Sequence, residues 1–438
     1  MNNLFILILN FFLYLITFVI YQKKRKYLGI GSTLLMMYLA IALIGIDLYF
    51  NKYSNFLDLK ILPSLYLYFV LMMTALPLLL IDERKIVTFI KPNLKLFKIL
   101  SASAIFFTLI SAFPVITKFN EGLRSMLLNT TYAQELYSDA AVATSKIGSG
   151  GINIFGVLSG LFSGLVPLLF FSSIIFRLNK FFIFGLGISI IVIIITPLSM
   201  GQRGGVILSL FNILFGFIFL RKFLSKKTHK VLTIIFTVFL LLISIPFTLI
   251  SIGRFSNTEN GNEFAAYQAE FYIAHSFISF NNYGIYKGPY LYGDRTIPLF
   301  KRSLGIDTPK NLYALQAKIN SKYPILRQKG SSFHTYVGDF VFDFGNVATI
   351  IILALISLLF WLKIKLTDSL TFHKLILIYF LFSICNGIFL HNFCDTGGNL
   401  KIIFYLLIYF LFRINWSKLI TENKSENSTE KIKTVNLN

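Results

Sequence analysis

Three acid–base residues lie close together in the C-terminal part of this chain: His334, Asp339 and Asp343. If the stretch is helical, the two carboxylates share one face at i and i+4, and the imidazole lies on roughly the same side. Such a group could act as a general base for a hydroxyl nucleophile. A structural alternative applies to Asp343, which could instead cap the membrane helix that the following apolar run predicts. His275 and His391 are expected in surface or packing roles.

A second candidate is an arginine between glycines, Arg203 in the run SMGQRGG at 199–205. An apolar run of about twenty residues flanks it on each side, so this arginine should lie at a membrane interface, where an unpaired cation is costly. Its guanidinium could bind a diphosphate through two parallel hydrogen bonds, and the glycines let backbone N–H groups approach the same ligand. The alternative is an arginine that only reaches the interface from a tight turn.

Three more arginines could complete an anion site: Arg254, Arg295 and Arg302. The first follows an apolar run directly and should emerge at the level of Arg203. The other two lie in the run GPYLYGDRTIPLFKR, where Lys301 is expected to be solvated. Each arginine alone is equally well explained as a surface charge. Two or three of them that converge with Arg203 would form a diphosphate-binding site.

These last three arginines belong to one long stretch, 254–333, that contains no apolar run of membrane length. It holds ten Lys or Arg against five Asp or Glu, together with eight Tyr and seven Phe. A protein that only passes a solute could connect its helices by short turns, so ordering eighty residues here suggests a task outside the bilayer. Cationic donors and aromatic rings suit an anionic ligand that carries sugars.

The composition predicts a membrane protein. The chain has 438 residues, of which 55% are hydrophobic and 14% charged, and its mean hydropathy is +0.71, well outside the range of soluble globular proteins. A membrane helix needs about 20 apolar residues. The predicted fold is therefore an all-α polytopic integral membrane protein with about eleven spans. The spans are 4–21, 28–50, 61–81, 97–116, 152–176, 181–200, 204–220, 231–253, 346–362, 375–391 and 400–416.

The distribution of charge predicts the orientation of these spans. With the N-terminus outside, the cytoplasmic connections and tail hold 24 of the 41 basic residues and only 6 of the 19 acidic residues. This is the positive-inside pattern. It predicts one transmembrane domain over 1–416 with outer loops 117–151 and 254–333, and a disordered cytoplasmic tail over 417–438.

No motif for a cofactor occurs in the sequence. There is no Walker loop, dinucleotide fingerprint or zinc motif, and the two cysteines, Cys385 and Cys394, are not spaced as a metal or redox pair. We therefore expect no cofactor and no metal. The net charge of +22 would suggest a nucleic-acid partner in a soluble protein, but its concentration in the predicted cytoplasmic loops argues against one.

In these features the chain resembles the O-antigen, or oligosaccharide repeat-unit, polymerases of the Wzy type, which are related to the O-antigen ligases. The resemblance covers the whole chain in layout, with ten to fourteen spans and a large external loop late in the sequence. It is most specific in the GQRG turn and in the two stretches that contain the Lys301–Arg302 pair and the three acid–base residues. These stretches are 201–204, 292–302 and 334–345.

The resemblance implies a membrane glycosyltransferase of the bacterial inner (plasma) membrane. It would join oligosaccharide repeat units carried on undecaprenyl diphosphate into a surface polysaccharide, such as the O-antigen of lipopolysaccharide or a capsule. It would need no nucleotide or metal, and a chain-length regulator and a flippase would be its protein partners. Two alternatives stay open: an O-antigen ligase-type transferase, and a lipid-linked oligosaccharide flippase, which would be a transporter. Flippases usually have short external loops.

Overall fold

The structure, a computed structural model, describes eleven stretches of the chain. They are 3–51, 58–128, 154–199, 203–253, 261–283, 285, 288–309, 312–322, 334–365, 368–389 and 391–414. It gives only the backbone at 114–128, 203, 246–253, 283, 312–313, 322 and several positions of 261–272. Arg254, the predicted tail 417–438 and most of the predicted outer loop 117–151 lie outside the described residues.

Nine helices fill the first part of the chain. They are α1 (Asn3–Arg25), α2 (Ile30–Phe50), α3 (Ile61–Leu80), α4 (Leu94–Leu128), α5 (Ile154–Phe162), α6 (Leu165–Ile175), α7 (Lys180–Ser199), α8 (Arg203–Leu220) and α9 (Lys226–Gly253). Short 3-10 turns follow α3 and α8, at Glu83–Lys85 and Arg221–Phe223. The GQRG turn therefore leads into α8, whose first residue is Arg203.

Seven more helices follow. They are α10 (Gly261–Tyr283), α11 (Pro298–Ser303), α12 (Leu312–Lys322), α13 (Thr335–Phe344), α14 (Asn346–Ile364), α15 (Phe372–Cys385) and α16 (Asp395–Arg413). Two very short strands, β1 (Thr88–Phe89) and β2 (Ser369–Leu370), pair in parallel and form the one sheet among the described residues.

The predicted class is confirmed, because nine helices among the described residues are long and apolar enough to cross a membrane. Helices α5 and α6, which meet at an angle of 56°, would together make a tenth span. The predicted span 375–391 needs a correction, because α15 has only 14 residues and the chain turns immediately after it. Polar groups favour this early end: the Asn392 amide donates to the carbonyl of Ser383 (2.6 Å) and to Asn386 Oδ1 (2.6 Å).

The helices present two ends, which we name by their residues. The loop face carries residues 58–60 and 288–309, and the basic face carries 26–29, 81–93, 221–225 and 368–371. At the loop face the N–H of Lys60 donates to Asn281 Oδ1 (2.8 Å), which ties the start of α3 to the end of α10.

Helix α10 is an unexpected part of the stretch predicted as an external loop. It packs against α2, α3 and α13, and Phe277 contacts the rings of Tyr14 and Tyr38, with ring centres 5.6 and 6.4 Å apart. A surface loop would leave these aromatic rings uncovered. Residues 261–283 of this stretch are therefore packed on the membrane helices.

Helix α15 lies at the centre of the core. All but two of its residues are buried, which fits a helix that is apolar on every side. Its aromatic residues contact several other helices, since Phe372 meets Phe97 of α4 and Phe412 of α16 with ring centres 5.1 and 4.8 Å apart. The turn that follows this helix is consequently held in a fixed position below the loop face.

Candidate functional site

Helix α13 carries the predicted acid–base residues and begins on the turn that follows α15. The N–H groups of Thr335 and Tyr336 donate to the carbonyls of Phe389 (3.2 Å) and Gly387 (2.8 Å). Residues 335–343 are all buried. With ten residues, α13 is too short to cross a membrane, so it is a buried helix between the core and the loop face.

A segment of the basic and aromatic stretch closes the other end of α13. The N–H groups of Leu291 and Tyr292 donate to the carbonyls of Phe342 and Asp343, both at 2.9 Å. Gly345 ends the helix at a φ of 81°, and a Cβ there would lie 2.8 Å from the Tyr290 ring. Only glycine suits this junction, because the conformation and the close ring both exclude a side chain.

Asp343 binds this segment directly. Its Oδ2 accepts hydrogen bonds from the Thr296 N–H (2.7 Å) and hydroxyl (2.6 Å), and its Oδ1 accepts one from the Arg295 N–H (3.2 Å). The alternative in which Asp343 caps the next membrane helix is wrong, because the N-cap of α14 is Gly345 and has no side-chain cap. Burial raises the pKa of Asp343 to about 6, against the opposing effect of the Thr296 hydrogen bonds.

Asp339 forms the ion pair of the site. Its Oδ1 lies 2.5 Å from Arg295 Nε, and its Oδ2 accepts a hydrogen bond of 2.5 Å from the N–H of His391. The side chain is completely buried, which raises its pKa, while the guanidinium beside it acts in the opposite direction. The two carboxylates do share one face of α13, as their spacing predicts: Asp339 meets the guanidinium of Arg295, and Asp343 meets its backbone N–H.

His334 lies at the N-cap of α13 and is completely buried. Its Nδ1 is 2.7 Å from the Ser279 hydroxyl on α10, and its ring meets the Phe342 ring edge-on with centres 4.9 Å apart. The guanidinium carbon of Arg295 lies 5.9 Å from the centre of the same Phe342 ring. A single aromatic ring thus contacts both the imidazole and the cation of the site.

His391 has the packing role expected of it, and it also makes a contact with the site that the sequence does not show. It follows α15 in the chain, and its backbone N–H fixes Asp339 while its ring packs edge-on against Phe340, with ring centres 5.2 Å apart. Burial lowers the pKa of His391 to about 3, so the imidazole is neutral at pH 7. No local motif marks this histidine, because its contact with Asp339 joins positions 52 residues apart.

Only two of the four predicted anion-binding arginines have described side chains, and these two make different contacts. Arg295 is paired with Asp339, whereas Arg302 is exposed and donates to the Pro309 carbonyl (3.1 Å) and the Thr396 hydroxyl (3.3 Å). Arg203 begins α8, but its side chain is not described, and Arg254 lies outside the described residues. Convergence of all four arginines therefore stays a prediction.

A second buried acid anchors the same segment. Asp294 is paired with Lys301 through Oδ1 and with Lys318 through Oδ2, at 2.5 Å for the second contact. The expectation of a solvated Lys301 is wrong, because the side chain is only 13% exposed and is held by this carboxylate. Through these two ion pairs Asp294 connects α11 to α12 and holds the segment around Arg295 in place.

Asn399 of α16 also holds the segment around Arg295 in place. Its amide donates to the carbonyls of Thr296 (2.8 Å) and Phe393 (2.9 Å), and its oxygen accepts from the N–H of Leu299 (3.0 Å). A small cleft at this junction is lined by Asp294, Arg295, Pro298, Pro309, Leu315, Asp395 and Thr396. Arg295 thus lines an opening on the loop face while it contacts the buried carboxylates. Among the described residues, no group of three His, Cys, Asp or Glu side chains could hold a metal ion.

Comparison with known proteins does not assign a function to this chain. No family model matches this chain, and no curated protein or solved structure shows detectable similarity to it. The helices define the class as an all-α, multi-pass membrane protein. What this member of the class does has to be inferred from the site.

Proposed function

We propose that this protein is a membrane glycosyltransferase that polymerises oligosaccharide repeat units carried on undecaprenyl diphosphate. The product is a surface polysaccharide, an O-antigen or a capsule, made at the bacterial inner membrane. The observation that carries the proposal is the ion pair of Arg295 with the buried Asp339, beside a cleft on the loop face, while a second buried carboxylate, Asp343, accepts from the backbone N–H of Arg295. A cation and a general base within one fixed cluster are the two requirements of this transfer.

The reaction joins an acceptor hydroxyl to the anomeric carbon of the donor glycan. A bond forms from the hydroxyl oxygen to that carbon while the bond from the carbon to the diphosphate oxygen breaks. The electron pair leaves with the diphosphate, and the hydroxyl proton passes to a carboxylate of the cluster. Asp343, whose pKa burial raises to about 6, is a stronger base than an ordinary aspartate and is still ionised at pH 7.

The arginines would stabilise the diphosphate as it gains charge in the transition state. In this proposal Arg203 and Arg254 hold the donor at the interface, and Arg295 and Arg302 contact it from the loop face. The ion pair between Arg295 and Asp339 has a role here, because an arriving diphosphate competes with the carboxylate for the guanidinium. Asp339 released from this pair is free to accept a proton.

Aromatic side chains near the cleft suit the sugar portion of the substrate. Tyr292 is 69% exposed and meets the Tyr290 ring edge-on, with centres 6.2 Å apart. An exposed ring supported by a second ring can stack on sugars of different identity. This pair of rings adjoins Asp343, because the Tyr292 N–H donates to the backbone carbonyl of Asp343.

The activity is tested with purified protein in detergent and a lipid-linked repeat unit, in the presence of EDTA and without ATP. We expect products that contain two or more units. Transfer of a finished glycan to another acceptor, without elongation, would favour the ligase-type alternative. Movement of the labelled substrate across a vesicle membrane, without a covalent product, would favour the flippase. Activity that EDTA abolishes and Mg²⁺ or Mn²⁺ restores would contradict the metal-free reaction.

The same assignment can be tested in cells. A deletion strain should display surface glycan limited to one repeat unit, whereas full-length glycan that stays on the lipid carrier would indicate a ligase. The proposed orientation places the N-terminus outside and the C-terminus in the cytoplasm. A cysteine near Asn311 should then react with an impermeant maleimide in intact cells, and a cysteine near Ser425 should not. The reverse labelling would overturn the orientation.

A further inference from the structure

A cleft on the basic face lies between the ends of α1, α3 and α14, at the opposite end of the molecule from the candidate site. The cleft is open to the surroundings on one side. Its polar lining contains three cations, Arg25, Lys85 and Lys365, and one acid, Asp82. The lining is therefore net positive.

The two walls that carry the lysines are tied together. The N–H groups of Val87 and Ile90 donate to the carbonyls of Asp368 (2.6 Å) and Leu370 (2.8 Å), and this pairing forms the small sheet of β1 and β2. The Lys374 ammonium also donates to the carbonyl of Lys365 (2.8 Å). Lys85 and Lys365 therefore extend from backbone that is fixed before any ligand arrives.

Arg25 has a structural role in this cleft. It donates to the carbonyls of Leu79 (2.8 Å) and Leu80 (2.9 Å) at the end of α3, and its guanidinium lies 3.3 Å from Asp82. The acid of the lining is thus already neutralised by Arg25. The charge that faces the open space comes from the two exposed lysines, Lys85 and Lys365.

The lower wall of the cleft is apolar and continues along the membrane-facing helices. Leu76 and Leu80 of α3 are 49% and 52% exposed, and Trp361 and Leu362 of α14 are 44% and 47% exposed. Tryptophan is enriched at the level of lipid headgroups. The ammonium of Lys365 lies 5.9 Å from the Trp361 ring centre, so cation and aromatic ring meet where the apolar wall ends.

We propose that this cleft binds an anionic phospholipid. Its phosphate is held by Lys85 and Lys365, and its acyl chains lie along the exposed leucines of α3 and α14. Fixed cations above an apolar groove match a ligand with a charged head and a hydrocarbon tail, and basic pockets between membrane helices bind lipids of this class. A zwitterionic lipid offers the same tail without the net charge.

The test is native mass spectrometry of the full-length protein after exchange into mixed micelles with phosphatidylglycerol or phosphatidylcholine. Wild type should retain phosphatidylglycerol preferentially. Each lysine near an anionic headgroup contributes a factor of roughly five in affinity, so the double variant Lys85→Ala/Lys365→Ala should bind it roughly 25-fold more weakly. Arg25 is left unchanged because its loss would also disturb the end of α3.

The matched control is Lys91→Ala/Lys95→Ala, which removes two exposed lysines from the same face outside this cleft. It should retain phosphatidylglycerol as wild type does. A thermal-shift measurement with inorganic phosphate alone should show no stabilisation, because phosphate has no tail to fill the groove. Equal retention of both lipids by wild type would overturn the proposal. Equal loss in the control, or full stabilisation by phosphate, would also overturn it.

Discussion

The two faces of the molecule both bury a carboxylate close to cations, but they satisfy it in different ways. On the basic face, Glu83 accepts a hydrogen bond of 2.6 Å from the N–H of Ile30 at the start of α2. The cations there also bind backbone carbonyls. Lys222 donates to the carbonyls of Glu83 and Ile86, and Arg221 donates to the carbonyl of Leu28 (2.5 Å). These contacts fasten helix ends together.

On the loop face, the charged side chains bind one another. Arg295 is paired directly with Asp339, and the two carboxylates of α13 converge on the single segment Arg295–Thr296. A guanidinium that is neutralised by a carboxylate can exchange this partner for a phosphate, whereas a cation bound to helix-end carbonyls only holds the helix. The comparison therefore contrasts the contacts around Glu83, which hold helix ends together, with the Arg295–Asp339 pair, which the proposed function uses.

A large difference between the faces should appear when one buried carboxylate of each face loses its charge without changing its shape. Asp339→Asn removes a base and leaves Arg295 without its counter-charge. We therefore expect polymerisation to fall by about 10²-fold or more. Glu83→Gln keeps an oxygen that accepts from Ile30, so its activity per folded molecule should stay close to wild type. Initial rates on purified, monodisperse protein measure both variants. Equal losses in the two would contradict the distinction between the faces.

The next effect concerns Arg203, which begins α8 at the predicted diphosphate site. Arg203→Ala should abolish polymerisation, and Arg203→Lys should retain little activity, because lysine keeps the charge but loses the bidentate geometry. Both variants should reach the membrane at near wild-type levels, which immunoblots of membrane fractions can measure. Normal polymerisation by correctly inserted Arg203→Ala would move the diphosphate site to Arg254, Arg295 or Arg302.

A smaller effect follows from the raised pKa of Asp343, from 3.8 to about 6. Because the folded state binds the proton more tightly than the unfolded state, stability contributed by the protonated group is full below pH 3.8 and is lost as pH rises through about 6. Relative to Asp343→Asn, wild type should therefore gain thermal stability when the pH is lowered from 7 to 5. Unfolding temperatures that change in parallel for the two proteins would contradict this linkage.

Much of this fold could be predicted from the sequence, because the signals are local. Long apolar runs identify the spans, and the i and i+4 spacing of Asp339 and Asp343 places both carboxylates on one helical face. Hydropathy cannot show that a span stops early. Helix α15 ends after 14 residues, where the Asn392 amide donates to the Ser383 carbonyl and to Asn386 Oδ1.

The partners of the site residues could not be predicted, because they are distant in sequence. The ion pair of Arg295 with Asp339 joins positions 44 residues apart, and Asn399 reaches the carbonyl of Thr296 across 103 residues. A single sequence carries no record of such contacts. For Lys301 the reason is different: its partner Asp294 lies only seven positions earlier, but the sequence does not show that the fold buries this acid.

The smallest expected effect is that of Lys301→Ala, and it should grow when Lys318 is also changed. Asp294 is only 4% exposed and pairs with both lysines, so either one alone can still neutralise it. Each single alanine variant should therefore lose little activity and little stability. The double variant leaves a buried carboxylate without a cation, a defect that typically costs about 3–5 kcal/mol.

Thermal unfolding of both single variants and the double variant measures the coupling between the two lysines. Asp294→Asn in the double variant should restore stability, because it removes the uncompensated charge. Strictly additive losses, or no restoration by Asp294→Asn, would mean that the two lysines act independently of Asp294.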